Sequence, residues 1–395
     1  MENVQTNVSA DTALPNETIN SPEVDHEKPL EKSEIKNTHD TETQHGSVVA
    51  AHYNDIKEIG VIERLKSPIL YLRNFNNWVK SVLINTYLNK IKDSRHNKRV
   101  RVLDICCGKG GDIVKWIKGR VDHVVFADIA EISVQQCRER YTERKCRFSA
   151  EFLALDCTKQ TLRDKYKDPS GHFDLASCQF ALHYSFESLP QARQMLSNVS
   201  DCIEANGYFI GTIPDANEII TRARKSSNGS SFGNSVYNIK LHFDPNNDIP
   251  LFGAKYDVHL EGVVDCPEFL VNFDLLTMLA KEYGLQLVYK AQFADFFKEH
   301  SKRHEFLLKR IMSLETYPPP SEKELNSAET EYEHAKSYLA MSGEGKTHSR
   351  NSVGTMSKCE WEVVTLYTAF AFKKMKHSWD ANGKPVYEMP KEENS

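Results

Sequence analysis

The run VRVLDICCGKGGD, residues 100–112, decides the fold. Val100–Ile105 reads as an apolar, buried strand that runs into a glycine-rich turn, Cys106–Gly111, and then a helix through Trp116. With a cysteine in place of the first glycine, positions 106, 108 and 111 fit the G-x-G-x-x-G spacing. That spacing lets backbone approach a ligand closely at a helix N-terminus. Alone, the turn suits a dinucleotide dehydrogenase equally well.

Working outward, strands at His123–Ala127, 150–155, Phe173–Cys178 and Tyr208–Ile213 alternate with helices over 131–145, 158–167 and 187–203. Five strand–helix repeats predict an α/β fold with an open, doubly wound, mostly parallel sheet, whose ligands bind beyond the carboxyl ends of the strands. Asp128 stands 22 residues past Cys106 at the end of the second strand, where a carboxylate accepts both hydroxyls of a ribose. Asp156 ends the third strand and is placed to accept from an adenine amino group. The fourth strand runs into Gln179-Phe180 at the crevice. A lone aspartate after a strand is more often a helix N-cap. Asp104, Asp128 and Asp156 at successive strand ends, beside a glycine-rich turn, reverse that preference.

Upstream, Ser67-Pro68 reads as an N-cap with proline in the first helical position. The helix it opens carries Leu72, Phe75, Val79, Val82 and Leu83 on one stripe and leaves Asn76, Asn77 and Lys80 off it. Downstream, KSSNGSSFGNS (225–235) reads as a flexible loop, Tyr256–Val264 as a strand bearing Glu261, 267–283 as a helix and 285–290 as a strand. A polar helical insertion over about 295–360 contains Pro318-Pro319-Pro320 and precedes a closing strand, Val363–Phe372. It is a solvated excursion or a docking surface.

The chain has 395 residues and a net charge of −5. Residues 1–50 hold ten acidic residues, three lysines and no aromatic residue, a net of −7 that leaves +2 for residues 51–395. Such a segment cannot bury enough apolar surface to offset its ordering entropy, so it reads as a disordered acidic tail. The organisation expected is this tail, a domain over 51–375 and a flexible C-terminus over 376–395. No apolar run approaches the ~20 residues of a membrane-spanning helix, and no secretory signal is visible. Nine cysteines, an odd number with no CxxC pair, point to reduced thiols in an intracellular protein and away from a zinc site or disulfide framework.

The set Asp104, Gly108, Asp128, Asp156 and Gln179 resembles the S-adenosylmethionine pocket of class I methyltransferases. The runs NFNNWVKS, VLDICCGKGGDIVKW, CQFALHYSFES, GYFIGTIPD, PLFGAKYDVHLEGVVDCPEFLV and TLYTAFAF are similar, more narrowly, to the eukaryotic mRNA cap guanine-N7 methyltransferases. The similarity covers residues 52–373. It implies a seven-stranded class I sheet, S-adenosylmethionine as methyl donor with S-adenosylhomocysteine as product, no metal, and a 5'-capped RNA substrate. It also implies a monomeric catalytic chain in the nucleus, with a small activating subunit at the 295–360 insertion.

By the same resemblance, Lys80 and Asp104 border the methionine end of the cofactor, with backbone at Cys106 and Gly108. Asp128 holds the ribose, Asp156 the adenine side, and Gln179 and Tyr184 the rim near the methyl group. Asn76 and Asn77 contact the cap, Lys109, Lys115 and Arg140 meet its phosphates, and His183, Glu261 and Tyr367 surround the guanine. No catalytic acid or base is implied. On sequence alone the lysines and Arg140 are ordinary helix-face charges, and Tyr367 a core residue. Glu261, in an apolar strand, calls for a partner. The family has glycine where this chain has Cys106, so a turn that needs φ > 0 would put a steric cost on the cysteine. A class I methyltransferase with another substrate and a non-catalytic RNA-binding subunit remain as rivals.

Overall fold

The computed structural model describes residues 44–55, 60, 63, 65–94, 99–321, 323–343 and 352–388. Helices α1 (Gln44–Asp55) and α2 (Leu70–Ser94) lead into β1 (Arg101–Ile105), α3 (Ile113–Lys118), β2 (His123–Asp128), α4 (Glu131–Glu143) and β3 (Ser149–Ala154). Then come β4 (Phe173–Gln179), a 3-10 segment (Leu182–Glu187), α5 (Leu189–Cys202), β5 (Ile203–Pro214) and α6 (Ala216–Lys225). The middle of the chain forms β6 (Ser231–Gly233), β7 (Tyr237–Leu241), β8 (Lys255–Leu260), β9 (Val264–Phe269), α7 (Phe273–Glu282) and β10 (Leu285–Gln292). The insertion contains α8 (Phe293–His300), α9 (Glu305–Arg310), β11 (Glu315–Tyr317), a 3-10 turn (Glu329–Tyr332), α10 (Glu333–Gly343), β12 (Val353–Thr355) and α11 (Lys358–Val364). β13 (Tyr367–Lys374), β14 (His377–Trp379) and β15 (Pro385–Tyr387) close the chain.

The main sheet has seven strands in the order β10-β13-β5-β4-β1-β2-β3. β1 to β5 run parallel, and β13 is antiparallel to both its neighbours. Both faces of β1 are covered, Val102 packing into one core cluster and Leu103 and Ile105 into the other. A strand buried on both sides has no polar alternation, which is why VRVLDI reads as a continuous apolar run. The chain leaves β1 for β2 on one side and returns to β4 on the other. The crevice at this switch of direction is where an open sheet binds ligands, and it places the 106–112 turn beside Gln179-Phe180. A second, antiparallel sheet of order β6-β7-β8-β9 stands beside the crevice.

Several expectations are corrected. Residues 158–167 form turns, because Asp156 draws in the backbone and hydroxyl of Thr158 and its N–H groups never enter a helical ladder. The single strand over 256–264 is a hairpin, β8 and β9, with residues 261–263 in its turn. Helix α7 accordingly starts at Phe273, capped by the Asn272 side chain. The closing strand begins at Tyr367, after α11, which the Ser357 side chain caps. The 225–235 loop contains β6, and the 376–395 segment contains the β14–β15 hairpin. Helix α1 begins inside the stretch read as tail, whereas residues 1–43 lie outside the described residues. The Ser67 hydroxyl accepts from Ile69 N–H, and α2 starts two residues later than expected.

The turn after β1 is left-handed at Cys106 (φ 57°), Gly108 (φ 51°) and Gly110 (φ 72°), but not at Gly111. A Cβ at Gly110 would lie 2.6 Å from Ile113 Cδ1 and 2.7 Å from Cys137 Sγ, whereas one at Gly111 would meet only Lys80 Nζ at 3.7 Å. The conformational glycine is therefore one place earlier than the motif spacing suggests. Gly110→Ala is expected to cost about 2 kcal/mol or more in urea unfolding, and Gly111→Ala less than about 1 kcal/mol. The reverse ranking would contradict this account of the turn.

Candidate active site

The turn, α2, the ends of β2, β3 and β4, the 3-10 segment and β9 enclose one cleft of about 1340 Å³. Asp128, at the end of β2, accepts from Gly108 N–H at 2.8 Å and from Ala130 N–H at 2.9 Å, so its carboxylate holds the turn in shape. A Cβ at Gly108 would meet nothing within 4 Å, so bare backbone faces the cleft there. Cys106 adopts the left-handed conformation that favours glycine, and its thiol is hydrogen-bonded to that of Cys178. That contact, then burial, raises the Cys106 thiol well above its ordinary range, which disfavours the thiolate. Gln179 accepts from Thr212 Oγ1 at 3.2 Å and donates to Ser177 Oγ at 3.0 Å, which orients its amide at the mouth of β4. Asp156 lies under α1, close enough that a Cβ on Gly46 would be 3.5 Å from its Oδ2.

Beneath the turn lies a buried charge cluster. Asp112 Oδ1 is 2.8 Å from both Lys80 Nζ and Lys115 Nζ. Lys115 Nζ also donates to Asn77 Oδ1, and Asp104 accepts from Trp116 Nε1 at 2.9 Å. Burial pushes Asp112 up, but the two lysines outweigh it and hold the carboxyl at about 2. Burial, then the charge of Asp112, pushes Asp104 up to about 8. The two acids have been driven apart, one ionised and one protonated at neutral pH.

Across the cleft, Glu268 of β9 is a buried carboxylate with three side-chain partners. His183 Nε2 lies 3.1 Å from Oε1, Tyr184 donates to Oε1 at 3.3 Å, and Tyr256 donates to Oε2 at 2.6 Å. Burial pushes Glu268 up, but His183 and the two tyrosines pull it below the usual carboxylate range. Tyr53 of α1 meets the Tyr184 hydroxyl at 3.0 Å, and His45 packs its edge on Phe269. Tyr367 packs edge-on to Phe180 and lines the same cleft.

The cleft thus gathers Asn76, Asn77, Lys80, Asp104, Cys106, Gly108, Lys109, Lys115, Asp128, Arg140, Asp156, Gln179, His183, Tyr184 and Tyr367. It does not gather Glu261. That side chain is half exposed on the 261–263 turn, 3.7 Å from His259. The pocket carboxylate is Glu268, seven residues on in the same quoted run. The sign was present in the alternation Val264, Cys266, Glu268, whose side chains are all buried. Pro267 disguised it as a helix start, yet proline is tolerated on an edge strand, and β9 is one. Lys115 is also corrected in part: it is buried against Asp112 and Asn77 and is not a free cation for phosphate. Asp112, Tyr53 and His45 were missed, the last two because α1 begins within the acidic stretch.

The model of the mRNA (guanine-N(7))-methyltransferase domain family matches residues 36–375. The chain is 49% identical over 353 residues to the mRNA cap guanine-N(7) methyltransferase of Drosophila melanogaster, covering 86% of this chain and 80% of that one. It is 39% identical over 363 residues to the protein of the same name in Caenorhabditis elegans, covering 88% and 93%. Among solved structures, a S-adenosylmethionine-dependent methyltransferase from Clostridium acetobutylicum superposes with a TM-score of 0.40 at 10% identity, covering 73% of this chain and 90% of that one.

The acid pair yields a pH prediction. Asp104 stays protonated in the folded chain up to about 8, but only to about 3.9 when unfolded. The folded state therefore holds the extra proton between these limits, and this contribution is lost as pH rises through the folded value. Asp104→Asn cannot ionise and keeps an acceptor for Trp116, so it should gain stability relative to the parent as pH rises from about 5 to 8.5. Unfolding midpoints across that range check this. A constant gap would mean that Asp104 is already ionised.

Proposed function

This chain belongs to the mRNA cap guanine-N7 methyltransferases, and we propose that its cleft methylates N7 of the cap guanine by positioning alone. The overall activity, S-adenosylmethionine-dependent methylation of capped mRNA, follows from the family. The assignment of residues is our reading. The single observation that carries it is Glu268, a buried carboxylate aimed into a cleft whose opposite wall is a glycine-rich turn.

The cofactor half fits S-adenosylmethionine. Open backbone at Gly108 allows close approach, and Asp128 and Asp156, which line the same cleft, would take ribose and adenine. Lys80 and Asp104 would border the methionine end. When bound, the cofactor supplies an electrophilic methyl group on a sulfonium sulfur. Guanine N7 carries a lone pair and no proton, so no side chain has to remove one. The work of this chain is to align N7 with that methyl group and to exclude water.

Glu268 suits the Watson–Crick edge of guanine, where N1–H and the 2-amino group donate. The edge-on tyrosine Tyr367 and the His183–Tyr184 pair would bracket the ring. Positive charge builds on the guanine as the methyl arrives, and a carboxylate held ionised by Tyr256, Tyr184 and His183 stabilises it without reorganising. Asn76 Oδ1 is buried and has no hydrogen-bond partner among the described residues, as expected of a group reserved for ligand. Lys109 and Arg140 would take the triphosphate. We place the reaction in the nucleus, by a monomeric catalytic chain. A small activating subunit would seat on the insertion, where Phe306, Met312, Tyr338 and Met341 are exposed.

The test is radiolabel transfer from S-adenosylmethionine to GpppN-capped RNA, with uncapped RNA as control. Glu268→Ala should lose about 100-fold in kcat/KM, with S-adenosylhomocysteine affinity kept as the sign of a folded cofactor site. Glu261→Ala should stay near the parent. Equal activity of Glu268→Ala and parent, or loss in Glu261→Ala instead, would overturn the assignment.

A further inference from the structure

Helix α2 carries Asn76, Asn77 and Lys80 into the cleft, while its first turn is gripped from behind by the insertion. Leu72 N–H donates to Glu360 Oε1 at 3.0 Å, and Glu360 Oε2 accepts from Ser357 Oγ at 2.9 Å. Around this contact, Asn74 Nδ2 donates to Met312 O, Ser313 Oγ to Asn74 O, Asn326 Nδ2 to Pro68 O, and Lys323 Nζ to Tyr71 Oη. Trp361 packs edge-on against Phe75. The first amides of a helix have no acceptor within it, and a carboxylate there also meets the positive end of the helix dipole.

Glu360 is fully buried, and its two carboxylate oxygens accept from Leu72 N–H and Ser357 Oγ. Burial, with the charge of Glu315 adding to it, pushes its carboxyl up to about 7. A group so costly to bury is a poor choice for stability alone, since an apolar residue would fill the space more cheaply. Its distinct contribution is a directed acceptor one turn before Asn76. A helix transmits a shift of its first turn along its axis, and a misplacement of about 1 Å at a reacting centre costs on the order of 10²-fold.

We propose that Glu360 is a positioning residue for methyl transfer, by which the insertion sets the place of Asn76, Asn77 and Lys80 in the cleft. This rests on the reading of those three residues as ligand-binding. In the full chain, Glu360→Ala should raise the KM for capped RNA and the Kd for S-adenosylhomocysteine, each by about tenfold. Glu360→Gln, whose amide oxygen still accepts from Leu72, should restore both to near the parent values. A lower melting temperature in both variants with unchanged KM and Kd would overturn the proposal and leave Glu360 a stabilising cap. If the alanine variant does not fold, hydrogen exchange on the unaltered chain decides. S-adenosylhomocysteine with GpppA should slow exchange in residues 358–364 as well as in 70–75, and no slowing in 358–364 would overturn it. Failure of the underlying reading would look different: Lys80→Ala would leave S-adenosylhomocysteine affinity unchanged, whatever the Glu360 variants do.

Discussion

Asp112, buried between Lys80 and Lys115, is the constraint on which the cleft depends. Lys80 comes from α2, Lys115 from α3, and Asp112 from the end of the glycine-rich turn. One carboxylate therefore joins α2, the glycine-rich turn and α3 at a single point. Lys80 still reaches solvent at the cleft, and Asp104, buried beside the ionised Asp112, keeps its proton up to about 8 rather than adding a second anion. Removing one member of such a set leaves another buried and unpaired, which is far more damaging than replacing the set as a whole. The geometry is also why Lys115 is not free for phosphate, although it lines the cleft.

The opposite wall follows the same logic with one charge. Glu268 is buried and still ionised because three side chains from two elements point at it: His183 and Tyr184 from the 3-10 segment, and Tyr256 from β8. The donors that lower its pKa also fix its orientation, and Tyr53 extends the network to α1. The two walls need no broad basic surface between them. This agrees with the slight positive charge of residues 51–395 once the acidic stretch is set apart, which suits a local pocket better than a long phosphate track.

Much of this was legible in the sequence, and the parts that were not have physical reasons. The central strands read clearly because burial on both faces leaves uninterrupted apolar runs, and Asp104, Asp128 and Asp156 stand at their ends as the repeat predicts. Glu261 was mistaken for Glu268 because Pro267 breaks the expected strand, and only the register of β8 against β9 shows that the chain turns at 261–263. Gly110 was passed over for Gly111 because motif spacing counts positions, whereas φ and Cβ clearance depend on Ile113 and Cys137. Tyr53 and His45 were hidden because α1 follows a polar stretch and draws its order from tertiary contacts with α4 and β9, not from its own periodicity. Charge pairs such as Lys115–Asp112 lie close in sequence, but their burial is a property of the packed helices.

The most direct measurement pairs a change in the protein with a change in the cap. Replacing guanine by hypoxanthine in a GpppA analogue removes only the 2-amino donor that Glu268 is read as accepting. With S-adenosylhomocysteine present, the parent chain should bind the hypoxanthine cap about tenfold or more weakly than the guanine cap. In Glu268→Ala that difference should largely vanish, because the acceptor has been removed from the protein side. The same penalty in both proteins, or none in the parent, would place the guanine elsewhere and contradict the account.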